Sequence, residues 1–249
     1  MTLMWRRDAS PRTAILLLLI LCARAHSVPL APPDCTTPTA ALSSWMTCLS
    51  PLISNLTILD LQLPGTHDTL TFHLSDRIAD NANDISPALA AFLHDIIRPP
   101  IAFVGAFIKS MAVTQRLNLP QQLDAGIRFF DLRCTFSRPP SAGARQRVAE
   151  QWVGLHFVET VLAFTEYLAD IRRWLDGHPN EIVVMSVTRH GDFCLNGPGQ
   201  FPGCDQGEKD ALWAALSTTF DGLLMNHSQG SLNETTLEQL LDRGQRVVV

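Results

Sequence analysis

The chain has 249 residues, 46% hydrophobic and 17% charged, with a formal net charge of −5. That content is enough for one sizeable core, and the length sets one domain as the expectation. The weak acidic balance argues against a nucleic-acid partner and is too small to speak for or against a membrane surface.

In chain order, Arg6, Arg7 and Arg12 precede an apolar run at 14–21 that is too short to span a bilayer, and Ala23-Arg-Ala25 is a small-residue cleavage pattern. Residues 1–25 therefore read as a signal peptide, and the expectation is a secreted protein starting at His26. Three sequons follow, at Asn55, Asn226 and Asn233, as in a glycoprotein. Five cysteines remain after the signal. Cys35/Cys48 and Cys194/Cys204 are near enough in sequence to close short disulfide loops, which leaves Cys134 over; sequence alone leaves the connectivity open. No C-x2-C spacing occurs, so a zinc site is not expected.

Residues 26–55 form an N-terminal segment, Pro/Thr/Ala-rich and expected to be loose over 26–40. Strand-like apolar runs then recur at 56–63, 127–133, 151–157, 181–187 and 245–249. Near-continuous apolar runs fit strands buried on both faces. Between the first two lies an insertion, 76–120, with helix-like stretches at 86–97 and 101–113 on either side of Pro99-Pro100. Within the second stretch, residues 101–108 are apolar nearly all round. A buried helix is favoured there over a lipid-facing or lid element. A helical stripe (Val161, Leu162, Phe164, Leu168, Ile171, Leu175) predicts a helix over 160–174, stopped by Gly177 and Pro179. Shorter helices are predicted at 208–220 and 235–241. The alternation implies an α/β fold of parallel βα units, a TIM-type (β/α)8 barrel over 56–249. The chain ends inside the run Arg246–Val249, and a closed barrel takes about 250 residues or more, so the barrel is expected to be incomplete.

In such a barrel the chemistry sits where strands end. His67 and Asp68 close the first run, Asp131 and Arg133 the second, His156 the third, and Thr188 and Arg189 the fourth. Asp131 and Arg133, two apart on a strand, point to the same side. Histidine moves protons near neutral pH, and arginine grips phosphate oxygens in a fork. Two histidines, two aspartates and an arginine on one rim suit a phosphodiester with a neighbouring hydroxyl, cleaved by internal attack with one imidazole as base and the other as acid. Arg133 would take the electrostatic role, so no metal or other cofactor is required. Thr188 and Arg189 are candidates to line the substrate pocket.

The Leu63-Pro-Gly-Thr-His-Asp-Thr69 run, the Gln122–Arg133 run, the His156 strand and Asn180-Glu-Ile-Val-Val-Met-Ser186 together resemble the X-domain of phosphatidylinositol-specific phospholipase C. The likeness is to the metal-independent, bacterial-like branch and its secreted relatives, over roughly residues 56 to 249. In the calcium-dependent branch the position of Arg133 is a carboxylate, and a guanidinium cannot ligate Ca²⁺. The resemblance implies that His67 is the general base on the inositol 2-hydroxyl and His156 the general acid paired with Asp68. It implies further that Arg133 binds phosphate and that Asp131 holds the arrangement. The products would be diacylglycerol and an inositol 1,2-cyclic phosphate, the partner a phosphoinositide lipid at a membrane surface, and the protein a monomer. Two departures stand out: Phe157 follows His156 where relatives often have Gly, and the family's Asp that orients the base His comes later than Val249. Two other readings remain: a metal-dependent glycerophosphodiesterase or sphingomyelinase-like enzyme on the same barrel, and a non-catalytic lipid-binding pseudoenzyme.

Overall fold

Among the described residues, Phe129–Ser137 (β3) is the hub of a seven-stranded mixed sheet. Its first half pairs in parallel with Gly65–Thr66 (β1) on one side and Val183–Thr188 (β6) on the other, and Val247–Val248 (β7) extends the parallel set beyond β6. Its second half leaves that set for an antiparallel partner, Gln151–His156 (β4). Val158–Ala163 (β5) and Leu74–Ile78 (β2) follow in turn, each antiparallel to its neighbour. A computed structural model describes residues 34–78, 102–137, 151–188 and 206–249, all within one unit spanning Pro33–Val249. Residues 1–25, the stretch 86–97, Arg189 and the Cys194/Cys204 pair lie outside the described residues.

The α/β expectation holds, with three corrections. First, the strands are not uniformly parallel. β4 and β5 are joined through Phe157 alone, which is too short for the crossover that parallel neighbours need. Second, the run 56–63 is not a strand. The Asp60 carboxylate accepts the backbone N–H and hydroxyl of Thr57, each at 2.8 Å, and this capping box turns 58–60 into a 3-10 helix. Apart from an isolated antiparallel bridge between Thr57 and Thr236, strand pairing begins at Gly65. Third, residues 160–163 belong to β5, and the helix on the apolar stripe starts at Phe164.

The α-helices among the described residues are Pro38–Ser43 (α1), Trp45–Ile53 (α2), Ala102–Ala112 (α3), Leu119–Asp124 (α4), Phe164–Gly177 (α5), Gln206–Thr219 (α6) and Leu237–Asp242 (α7). The segment expected to be loose is thus helical from Pro38 onward, and a Cys35–Cys48 disulfide ties it together. Along β3 the side chains alternate. Phe130, Leu132 and Cys134 are buried with Val183, Met185 and Val247 against Leu119 and Leu123 of α4, Phe164, Leu168, Ile171 and Leu175 of α5, and Leu216 of α6. Each fully buried side chain of this size contributes about 1.5–3 kcal/mol. Phe129, Asp131 and Arg133 face the other way. Trp152 and Trp174 are buried, as expected.

The apolar helix α3 departs from the favoured expectation. Ala112 is buried with Leu74 and Val158, and Ile108 packs against them. Phe107 is 55% and Met111 69% exposed, and Val113 and Leu117 just beyond are exposed too. A stretch apolar on every side carries no period to tell its inner face from its outer one.

A buried ion pair fixes the N-terminal helices under the strands. Arg128, one residue before β3, and Glu181, two before β6, are fully enclosed. All five guanidinium N–H donors can be used: Nε and Nη2 donate to Glu181 Oε2 at 3.1 and 2.8 Å, Nη2 also to Ser43 O at 2.7 Å, and Nη1 to Leu123 O and Ile127 O at 2.8 Å. The guanidinium lies over the Trp174 ring, 4.6 Å from its centre. Burial pulls the Arg128 pKa below the usual guanidinium value, and the Glu181 charge pulls the other way. Glu181 accepts in turn from the backbone N–H groups of Met46 and Thr47 and from the Thr47 hydroxyl. It therefore serves as the N-terminal cap of α2 from across the fold.

Candidate active site

β1 delivers His67 directly, and the next residue, Asp68, has φ +51°. That left-handed conformation is costly for most side chains and mildest for Asn and Asp. Its neighbours hold it there. Asp68 N–H donates to Asp131 Oδ2 at 3.2 Å and Thr69 N–H to Asp131 O at 3.1 Å, while the Thr71 hydroxyl donates to Asp68 O at 2.9 Å. The buried Gln122 amide donates to Thr69 O and Leu117 O and accepts from the Thr66 hydroxyl.

Five of the seven site residues singled out in the sequence converge. The Asp68 carboxylate, 3% exposed, is the common partner of His67, Arg133 and His156. Its Oδ1 lies 2.6 Å from Arg133 Nη1, and its Oδ2 lies 3.3 Å from His67 Nε2 and 3.5 Å from His156 Nε2. Asp131 is the second junction, with Oδ2 at 2.9 Å from His67 Nδ1 and 3.1 Å from Arg133 Nε. Arg133 Nη2 lies 3.2 Å from His67 Nε2. His67 is the most open of the set, its side chain 71% exposed, whereas Arg133, Asp131 and His156 are 13–16% exposed. Thr188 closes β6 with its hydroxyl 3.5 Å from Asp131 Oδ1, at the edge of the group. Arg189 lies outside the described residues.

Several supports carry no signal in the sequence. His156 Nδ1 is 2.7 Å from Ala112 O. A carbonyl only accepts, so Nδ1 carries a proton and Nε2 is the edge turned toward Asp68. Gln115 donates to His67 O at 2.8 Å. Phe157 has φ +59°, so the position where relatives often carry Gly is one whose backbone favours Gly. Its ring packs at 4.8 Å from the His156 ring. Asp131 contacts His67 Nδ1, whereas the resemblance gives the orienting of this histidine to an Asp later than Val249.

Ligand atoms of His67, Asp68 and Asp131 lie within 4.8 Å of one another, close enough to hold a cation. The Arg133 guanidinium contacts both carboxylates, so a divalent ion there would meet a fixed positive charge at close range. A cleft of about 290 Å³ beside His67 and Asp131 is lined by Gly65, Thr66, Phe129 and Ser186. A cavity of about 420 Å³ lies away from these side chains, between α2 and α7 near Ile182.

The family model PI-PLC X 1 matches residues 99–197, a stretch that includes Asp131, Arg133 and His156 but not His67 or Asp68. PI-PLC X domain-containing protein 1 of Mus musculus is 29% identical over 235 residues, covering 92% of this chain and 60% of the relative. The Homo sapiens protein of that name is 29% identical over 211 residues, covering 84% and 56%. The chain thus spans somewhat over half the length of these relatives. Among solved structures, phosphatidylinositol-specific phospholipase C from Listeria monocytogenes superposes with a TM-score of 0.50 at 18% identity, covering 84% of this chain and 56% of that one. A double mutant of the S. aureus enzyme gives 0.50 at 19%, covering 85% and 52%. These likenesses bear out the family resemblance and the barrel-type α/β fold; at such identities the solved structures speak for the fold alone.

Proposed function

We propose that this relative of the PI-PLC X domain proteins is a secreted, metal-independent phosphodiesterase acting on phosphatidylinositol-type or glycosyl-inositol lipids at a membrane surface. One observation carries the reading: two imidazoles and a guanidinium meet on one buried carboxylate, Asp68. His67, the exposed ring, accepts the proton of the inositol 2-hydroxyl as that oxygen bonds to phosphorus. The bond from phosphorus to the diacylglycerol oxygen breaks, and His156 gives that oxygen its Nε2 proton. The products are diacylglycerol and an inositol 1,2-cyclic phosphate. Arg133, its fork held by Asp68 and Asp131, offers a preorganised cation to the phosphoryl oxygens as charge develops.

The wider setting agrees. Phe107, Met111, Val113 and Leu117 are exposed and flank in sequence Ala112, whose carbonyl touches His156, and exposed apolar side chains there suit an interfacial substrate. The Cys35–Cys48 disulfide suits an oxidising compartment, and Asn55, Asn226 and Asn233 are all exposed for glycosylation. A metal-assisted phosphodiesterase is the second reading, favoured by the ligand spacing of His67, Asp68 and Asp131.

The test is turnover of phosphatidylinositol vesicles by the full-length protein in excess EDTA, with cyclic phosphate followed by phosphorus NMR. Turnover is expected to persist in chelator and to fall about 10²–10⁴-fold in His67→Ala. A requirement for added divalent ion would overturn the metal-free chemistry. Unchanged turnover in His67→Ala would remove the base assignment, and vesicle binding without product would leave a lipid-binding module.

A further inference from the structure

We infer that Thr71 and Gln115 are positioning residues: together they clamp the segment 112–115 against the His67–Asp68 loop and so set the two imidazoles relative to one another. The inference rests on the reading of His67 and His156 as the proton-transfer pair. The segment after α3 touches both of them. Ala112 O accepts from His156 Nδ1 at 2.7 Å, and Gln115 Nε2 donates to His67 O at 2.8 Å. Nothing in the covalent chain fixes the distance between these two contacts and the strands that carry the histidines; a side chain must do it.

Thr71 does so from a fully buried position, 2% exposed. Its hydroxyl donates to Asp68 O at 2.9 Å and accepts from the backbone N–H groups of Thr114 at 3.1 Å and Gln115 at 3.0 Å, with the Thr114 hydroxyl at 2.8 Å. One oxygen thus joins the left-handed Asp68 to the segment that holds His156. Without it, two backbone N–H groups lose this acceptor and the Asp68 carbonyl keeps only the Thr71 backbone N–H at 3.1 Å, and the segment must shift to recover partners. A shift of about 1 Å at a proton-transfer pair can cost about 10²-fold in rate.

The experiment uses the full chain in three variants: Thr71→Val, which keeps the shape and removes the hydroxyl; Thr71→Ser, which restores it; and Gln115→Met, which removes the donor to His67 O from a half-buried position. Long-range proton–nitrogen spectra report the ring protonation pattern of each histidine, assigned with His67→Gln and His156→Gln. The expected result is a changed His156 pattern in Thr71→Val and a changed His67 pattern in Gln115→Met, with the His156 pattern of the unsubstituted chain kept in Thr71→Ser. In the turnover assay kcat should fall about 10- to 100-fold in Thr71→Val with KM within about twofold, and Thr71→Ser should recover it. Ring signals unmoved in both Thr71→Val and Gln115→Met overturn the clamp. If the unsubstituted chain shows no turnover, the phosphodiesterase reading fails while the spectra still decide the clamp. If Thr71→Val does not fold, Gln115→Met decides it.

Discussion

Replacing Glu181 by Gln keeps the shape of the side chain and removes its charge, which isolates the buried ion pair with Arg128. Arg128 is 0% exposed, and three of its five donors face backbone carbonyls that the substitution leaves in place. The other two, Nε and Nη2, point at Glu181 Oε2. A Gln amide can place its one oxygen at the Oε2 position, facing these donors and the Met46 N–H, or at the Oε1 position, facing the Thr47 N–H and hydroxyl, but not both, and its NH₂ group then confronts a donor on the other side. The cation is left enclosed without a counter-charge, a loss worth about 3–5 kcal/mol. For a chain of this size 1 kcal/mol lowers Tm by about 2–4 °C, so Glu181→Gln should melt about 6–20 °C below the unsubstituted protein by circular dichroism. Arg128→Met combined with Glu181→Leu should lose less than the sum of its single substitutions, because it removes both charges together. A Glu181→Gln protein melting within about 2 °C of the unsubstituted chain would refute the claim that the pair anchors α1 and α2 beneath the sheet.

Two further outcomes follow from local geometry. At Phe157, with φ +59°, a β-branched side chain is sterically worst, so Phe157→Val should cost about 2 kcal/mol or more. In Phe157→Gly, backbone relief of about 1–2 kcal/mol should offset the lost packing and leave stability within about 1 kcal/mol. Thermal melts of the two variants check this, and equal stabilities would contradict it. The Asp60 carboxyl is held below its usual value by the Thr57 backbone N–H first and the Thr57 hydroxyl second. A carboxyl lowered on folding contributes stability above its unfolded pKa, and that contribution is lost as pH falls through the folded value. In Thr57→Ala, made without glycosylation, the Asp60 titration should move up toward the ordinary carboxylate range while the backbone contact keeps it somewhat below. Carbon NMR of the carboxyl reads this directly, and an unmoved midpoint would assign the whole effect to the backbone.

The sequence carried the parallel half of the sheet well, because β3 and β6 are buried on one face by helices and read as apolar runs. It did not carry the antiparallel half. The turn between β4 and β5 is a single Phe in the left-handed region, with no Gly, Asn or Pro to announce it, so β5 merged into the helix that follows. The run 56–63 failed for another reason: Thr57 and Asp60 satisfy each other locally, and that contact outweighs β propensity in its neighbours. At the site, residue types and strand ends pointed to His67, Asp68, Asp131, Arg133 and His156. The supports from Thr71, Ala112, Gln115 and Gln122 come from backbone groups or from elements distant in sequence, where no spacing rule reaches.

Arg128 and Arg133 show where spacing alone stops. Both lie in the Gly126–Arg133 run, and each pairs with a carboxylate, Glu181 in one case and Asp68 with Asp131 in the other. A motif reader has no ground for telling them apart, since each is a guanidinium at one end of an apolar strand. Their surroundings separate them. Arg128 precedes β3 and is sealed by Trp174, Glu181 and three carbonyls, so every donor is spent on the fold. Arg133 lies along β3 in the direction in which the parallel strands end, partly exposed, with Nη2 against the open His67 ring, where an incoming anion can compete for it. The direction of the strand therefore sorts two chemically identical side chains into an anchor and a candidate phosphate ligand, in line with barrels that keep stability at the N-terminal ends of their strands and chemistry at the C-terminal ends.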